Sequence, residues 1–489
     1  MTEAHRVMPR AATIKEHRRT RGLTRLLPIV FALLVLLFPQ ARAQQPARQS
    51  DNSSEIKNAA QDSARDEEAR QDSARKASES AEPDGNRFIR FFRRTSVEGY
   101  VDTYYSYNFN HPASRANLLR AYDTRDRRFT FKAADIAFDK QPTADSRIGF
   151  RLDFLFGPAA DYLNSEEPGN VRFYRNIHQA YISYLAPVGG RLQIDAGKFI
   201  PWVGAEYDDA NKNWNYSHGL LYNLAQPSFH AGLRAQYEFS DRVSLLTALV
   251  NGWGNIEENN GGKTFGFSLA VKPTGKLSLT QGYIVGPEQP GDNRRLRHLL
   301  DSLVSYDFND RVSVMANYDY GIERLTEGGS ARWQGVAGYL RYAPTKRIAF
   351  SPRVEFYEDY DGYTTGTAQR LKELTLTGEY KFNRYLLTRL EYRREWSNQS
   401  VFERRGAPDF YKTQTTLLGG MIWSFSTRDD ETDDATSAGT SAPAPKPRPA
   451  AQAAQPPLPT PPQQTSGPRI IPVPISVGDI RTTDSLRAP

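Results

Sequence analysis

Cysteine is absent from the 489 residues, which excludes a disulfide framework, a thiolate metal site and a lipid-attachment cysteine. Long apolar runs are also scarce. After residue 40 no stretch approaches the roughly 20 apolar residues that a membrane helix needs, so a helical membrane protein is excluded. A basic field is missing from the bulk of the chain. The formal net charge of +7 comes largely from Arg6, Arg10, Lys15, Arg18, Arg19, Arg21 and Arg25, and the remainder is near balance, which argues against nucleic acid as a partner. Catalytic spacing is lacking as well. Ser217 and His218 are adjacent and splay apart in an extended chain, while His178, His230 and His298 stand singly on separate runs. With no zinc-type ligand spacing and no nucleophile elbow, the chain reads as a non-enzyme without cofactor or metal.

Rings and charges are abundant together: 26 Tyr and 25 Phe stand in a chain that is 24% charged. That combination suits a transmembrane β-barrel with an apolar outside, a wet inside and aromatic belts. A basic region up to Arg25, the apolar run Leu26 to Phe38 and Ala41-Arg42-Ala43 predict a secretory signal over 1–43. The expected location is therefore a bacterial outer membrane, reached through the periplasm. Residues 44–96 are polar, with QDSAR at Gln61 to Arg65 recurring at Gln71 to Arg75, and read as a flexible periplasmic leader. Residues 427–489, acidic and then rich in Pro and Ala, read as a disordered tail.

Between 97 and 426 the period is two. Ile148, Phe150, Leu152, Phe154 and Phe156 alternate with Arg147, Gly149, Arg151 and Asp153, a pattern that would scatter around a helix but gives a strand one apolar face. Phe350, Val354 and Phe356 oppose Arg353 and Glu355 in the same way, and Leu390 and Tyr392 oppose Arg389, Glu391 and Arg393. Short turns are expected at Pro142 to Asp145, Pro187 to Gly190, Ser240-Asp241, Pro273 to Gly275, Asn309-Asp310, Pro344 to Lys346 and Asn383. They alternate with longer polar connections, as periplasmic turns alternate with external loops. The count gives about 16 antiparallel strands, with both chain ends in the periplasm. Aromatics at run ends, such as Tyr237, Phe239, Tyr306, Phe308, Tyr380 and Phe382, mark the membrane edges.

With the apolar faces toward lipid, the pore-lining set is Arg147, Arg151, Asp153, Arg234, Glu238, Arg311, Arg347, Arg353, Glu355, Arg389, Glu391 and Arg393. These would be wet ion pairs, each of small energetic weight. A barrel of this size leaves an aqueous channel unless something fills it. The longest connection, over 198–228, is the third external loop and the natural constriction. Trp202, Trp214, Tyr207 and Tyr216 are expected to pack it on the wall, with Glu206, Asp208 and Asp209 facing the solute path.

VEGYVDTYYSYNFN at Val97 to Asn110, AGKFIPWVGAE at Ala196 to Glu206, NYSHGLLYNLAQP at Asn215 to Pro227 and HAGLRAQYEF at His230 to Phe239 resemble the OmpL-like β-barrel porin family. The resemblance covers roughly Val97 to Phe425 and implies an outer-membrane channel; it supplies neither substrate nor catalytic residues. The expected function is passive diffusion of small hydrophilic solutes. The alternative is a non-conducting barrel serving as adhesin or structural anchor through its leader and tail. Expected partners are outer-membrane lipid, the solutes and the barrel assembly machinery, with homo-oligomerisation left open.

Overall fold

The computed structural model describes residues 91–92, 94–164, 174–406 and 409–428. The expected signal, most of the leader and nearly all of the tail lie outside the described residues. Among the described residues there are eighteen strands: β1 (Ser96–Asn108), β2 (Phe129–Lys140), β3 (Ile148–Phe156), β4 (Ile177–Ala186), β5 (Leu192–Phe199), β6 (His230–Ser240), β7 (Val243–Val250), β8 (Thr264–Val271), β9 (Leu277–Pro287), β10 (Leu296–Asn309), β11 (Val312–Arg324), β12 (Ser330–Tyr342), β13 (Ile348–Asp359), β14 (Gln369–Lys381), β15 (Leu386–Ser397), β16 (Phe402–Glu403), β17 (Phe410–Tyr411) and β18 (Thr413–Ser426). Strands β16 and β17 form a small separate hairpin, and the other strands close a 16-stranded barrel. All barrel pairs are antiparallel, and β1 seals against β18 from Glu98 opposite Ser426 to Asn108 opposite Thr416. Closure satisfies every ladder edge, which lipid cannot do. Among the described residues two named α-helices are present, α1 (Pro158–Leu163) and α2 (Leu220–Leu224), both short and both in connections.

Every expected short turn falls between paired strands, and the weakly patterned runs at Phe129 and Thr264 are both strands. The faces are as expected: Ile148, Leu152, Phe350, Phe356, Leu390 and Met421 point outward and are exposed. At the short-turn end the edge belt is built from repeated ring pairs. Tyr237 and Phe239, Tyr306 and Phe308, and Tyr380 and Phe382 meet edge to face at centroid distances of 4.9, 4.8 and 4.9 Å. The short turns, the start of β1 and the end of β18 lie together at this end, the arrangement of the periplasmic end in outer-membrane barrels.

The interior departs from expectation, because a hydrophobic core occupies part of it. Leu246, Ala248 and Val250 of β7, Ile284 of β9 and Leu299 and Leu303 of β10 cluster with Trp202, Val203, Leu220 and Leu221 of the connection between β5 and β6. Both faces of β7 are thus apolar, one toward lipid and one toward this connection.

Candidate functional site

The connection from Ile200 to Phe229 crosses the lumen to reach strands on the far wall. Irregular backbone at membrane depth needs hydrogen-bond partners, and here the inner wall supplies them. Arg389 of β15 donates to the carbonyls of Asn213 and Asn215 at 2.5 and 3.0 Å, and also to that of Ala210. Arg353 of β13 donates to the Ser217 carbonyl at 2.7 Å, and Arg393 of β15 to the Ser217 hydroxyl at 3.1 Å and to the His218 carbonyl. Carboxylates hold the opposite backbone groups. Glu391 accepts from the Tyr216 and Ser217 amides at 2.7 and 3.0 Å, and Glu355 from the Leu220 and Leu221 amides, at 2.5 and 3.3 Å, where α2 begins. Asn215 adds the Ser351 carbonyl and the Thr377 hydroxyl.

These wall charges are therefore dry, contrary to the expectation of wet ion pairs. Arg353 and Glu355 are 0% exposed, and Arg389, Glu391 and Arg393 are at most 2% exposed. Glu206, expected to face solute, instead pairs with Arg353 at 2.7 Å. Glu373, which sequence reasoning missed, is a second partner of Arg353 at 3.0 Å. Removing one member of such a buried set strands the others, at about 3–5 kcal/mol.

Asp208 is likewise buried. It bonds the Tyr122 and Tyr222 hydroxyls through one oxygen and His178 through the other, at 2.6 Å. Burial holds its carboxyl above the ordinary aspartate range. Asp209 pairs with Lys212 at 2.6 Å and is the acidic group of the loop nearest to water. His218 is kept neutral, well below the usual histidine value, first by burial and then by Lys132 and the nearby arginines. It reaches the Tyr207 carbonyl at 2.7 Å while the Ser217 hydroxyl faces Arg393, so the neighbouring Ser and His take separate partners.

Large rings of the loop pack on the wall, and glycines make room for two of them. A Cβ on Gly266 would lie 2.1 Å from the Trp202 ring, and one on Gly420 would lie 2.3 Å from the Tyr216 ring. Inward glycines within strands are the sequence signal that marks these contacts. Trp214 packs, half-buried, against the main apolar cluster, and Tyr207 is half-buried.

The rest of the expected lining is less uniform. Arg151 bridges Glu98 and Asp153 at 2.8 and 2.9 Å, and Arg234 pairs with Asp195 at 2.8 Å. Both keep side chains that are 13% and 12% exposed. Glu238 is half-buried on the inward face of β6. Arg311 and Arg347 stand exposed in periplasmic turns rather than on the inner wall, because the strands end one residue away from each. Arg147 also lies in a turn and bonds the Leu185 carbonyl at 3.1 Å.

The family model described as "Putative beta-barrel porin-2, OmpL-like" matches residues 94–425. The chain belongs to this family. The match begins at the foot of β1 and stops within β18, so the porin-family unit and the barrel coincide. Among solved structures, this porin-family barrel is similar to the outer membrane channel DcaP of Acinetobacter baumannii, at 11% identity and a TM-score of 0.47, over 68% of this chain and 97% of that one. An anion-selective porin from Comamonas acidovorans gives 11%, 0.46, 68% and 99%. OmpT of Vibrio cholerae gives 10%, 0.46, 68% and 97%. No curated protein matches the chain in sequence. The barrel is a porin-like protein of the bacterial outer membrane.

Proposed function

We propose that this barrel is a channel for small hydrophilic solutes whose path is set by the β5–β6 loop. The observation that carries the reading is the unequal inner wall. Charges of β13 to β15 are consumed by the loop, while Arg151, Asp195, Arg234 and Glu238 line a side where polar groups keep contact with water. Arginine beside carboxylate on a wet face orients polar solutes by a transverse field. The residues at 1–43 act as an export signal, the polar leader and Pro-rich tail extend into the periplasm, and the terminal β18 offers its Phe425 end to the assembly machinery. The depth to which the loop fills the lumen favours one second reading, a non-conducting barrel that serves as an adhesin or anchor. Liposome swelling with small sugars and amino acids decides between them. Uptake by liposomes carrying the folded barrel is expected, and a folded barrel that passes none of these solutes sinks the channel reading and leaves the anchor.

A further inference from the structure

We propose that Asp135, Asp153 and His178 form a binding site for a divalent transition-metal ion of the zinc class, built into the inner wall beside the β5–β6 loop. The three residues come from three adjacent strands, β2, β3 and β4, and their nearest ligand atoms all lie within 4.8 Å of one another. His178 Nδ1 stands 3.5 Å from Asp153 Oδ1 and 4.0 Å from Asp135 Oδ2. Ligands about 2.0–2.1 Å from a tetrahedral zinc ion are roughly 3.4 Å apart, so a small inward movement completes three positions and leaves a fourth for water. The side chains of Asp135, Asp153 and His178 are only 6%, 3% and 7% exposed. Yet these three facing atoms make no hydrogen bond.

The surroundings leave those atoms free for a cation. The other oxygen of Asp153 is taken by Arg151 and by Gln179, each at 2.9 Å, which leaves Oδ1 aimed at His178. The other ring nitrogen of His178 faces Asp208 Oδ2 at 2.6 Å. A proton held there by the carboxylate fixes the tautomer with its lone pair on Nδ1, the arrangement found around histidines that ligate metals. A lone pair and two carboxylate oxygens then converge on one buried point, which is repulsive until a positive charge sits between them. One imidazole nitrogen with two carboxylates suits a first-row divalent ion better than the all-oxygen shells of calcium and magnesium.

Two β-bulges aim the residues there. The ladder between β3 and β4 slips so that Asp153 faces Gln179 while Phe154 faces Ile177, which leaves His178 as the extra residue, turned inward together with Gln179. The ladder between β1 and β2 slips beside Asp102, so that Lys132 and Ala133 both turn inward and Asp135 follows on the inner face. Bulges that re-aim side chains in this way recur next to functional sites. A route exists too, since Asp135 and Asp209 line a cleft of about 130 Å³ that also touches Glu98, Tyr385 and Ser426 at the periplasmic end. Because Asp208 belongs to the loop, ion binding and loop position are linked at this point.

The test uses the full chain folded in detergent, stripped with chelator, and titrated with Zn²⁺ by calorimetry and with Co²⁺ by visible absorption. One ion per chain is expected. Asp135→Asn and Asp153→Asn, which keep side-chain shape, should weaken binding at least about 100-fold and abolish the Co²⁺ bands, and Asp208→Asn should weaken it about 10–100-fold. Asp301→Asn, a buried carboxylate elsewhere in the lumen, should bind as the parent does. Heat-modifiable gel mobility reports folding of each variant, and Asp135→Asn alone decides the matter where Asp153→Asn does not fold. Absence of Zn²⁺ uptake by the parent overturns the proposal, since a protonated imidazole then fills the point; uptake unchanged in Asp135→Asn overturns it as well.

Discussion

The two sides of the lumen hold the same loop by different chemistry. On β13 to β15 the inner wall presents Arg353, Glu355, Arg389, Glu391 and Arg393, all buried, which bond the loop largely through its amides and carbonyls, with Glu373 buried behind them against Arg353. On β7 to β10 the inner wall presents Leu246, Ala248, Val250, Ile284, Leu299 and Leu303, and these take the loop's apolar side chains. The charged side is directional: guanidinium groups meet loop carbonyls and carboxylates meet loop amides, and mispairing leaves a buried charge alone. The apolar side is adaptable and rewards area, at roughly 25 cal/mol per Å² buried. The loop's path across the barrel is thus specified by one wall and supported by the other.

Breaking the charged wall should have the largest effect. Arg353→Leu leaves Glu206, Glu355 and Glu373 facing one another, and urea unfolding in detergent should show a loss of about 3–5 kcal/mol. Leu299→Ala on the apolar wall, where the side chain is 0% exposed, should lose about 3 kcal/mol by the same assay. A much smaller loss for Arg353→Leu than for Leu299→Ala would reverse the assignment of roles. Next comes a pair of neighbours on opposite faces. Gly420→Leu collides with the Tyr216 ring and should lose about 1–3 kcal/mol, whereas Gly419→Leu, with nothing within 4 Å of its Cβ, should unfold as the parent does.

The smallest effect concerns Glu288, in the connection after β9. Burial lifts its carboxyl from 4.5 to about 7, with the Trp253 amide and the Thr264 hydroxyl donating to it. Because the folded value is the higher one, the folded state binds more protons between about pH 4.5 and 7. Stability from this group is therefore full below that window and falls as pH rises through it. Glu288→Gln should flatten the slope in unfolding midpoints measured across the window, and an unchanged slope would assign it to another group.

The architecture was legible because it rests on local signals. Turn residues such as Pro273-Thr274-Gly275 and Asn309-Asp310 end strands whose alternation is set by the pleat, so strand number and the lipid face could be read directly. The state of the inner face could not. Alternation shows that Arg353 points inward, but its dryness depends on a loop far away in the chain. The apolar interior was hidden because β7 is apolar on both faces, which erases the period. The cluster at Asp135, Asp153 and His178 was hidden for a related reason: each bulge shifts the alternation by one residue, and the ligands meet through strand pairing rather than through spacing along the chain.

On the proposed function, the β5–β6 loop, clamped by the charged wall, sets the opening of the barrel. Single-channel conductance in planar bilayers of a variant lacking Asp208 to Tyr216, folded as judged by heat-modifiable mobility, tests it most directly. A conductance several-fold above that of the parent is expected; an unchanged conductance would remove the loop from the solute path.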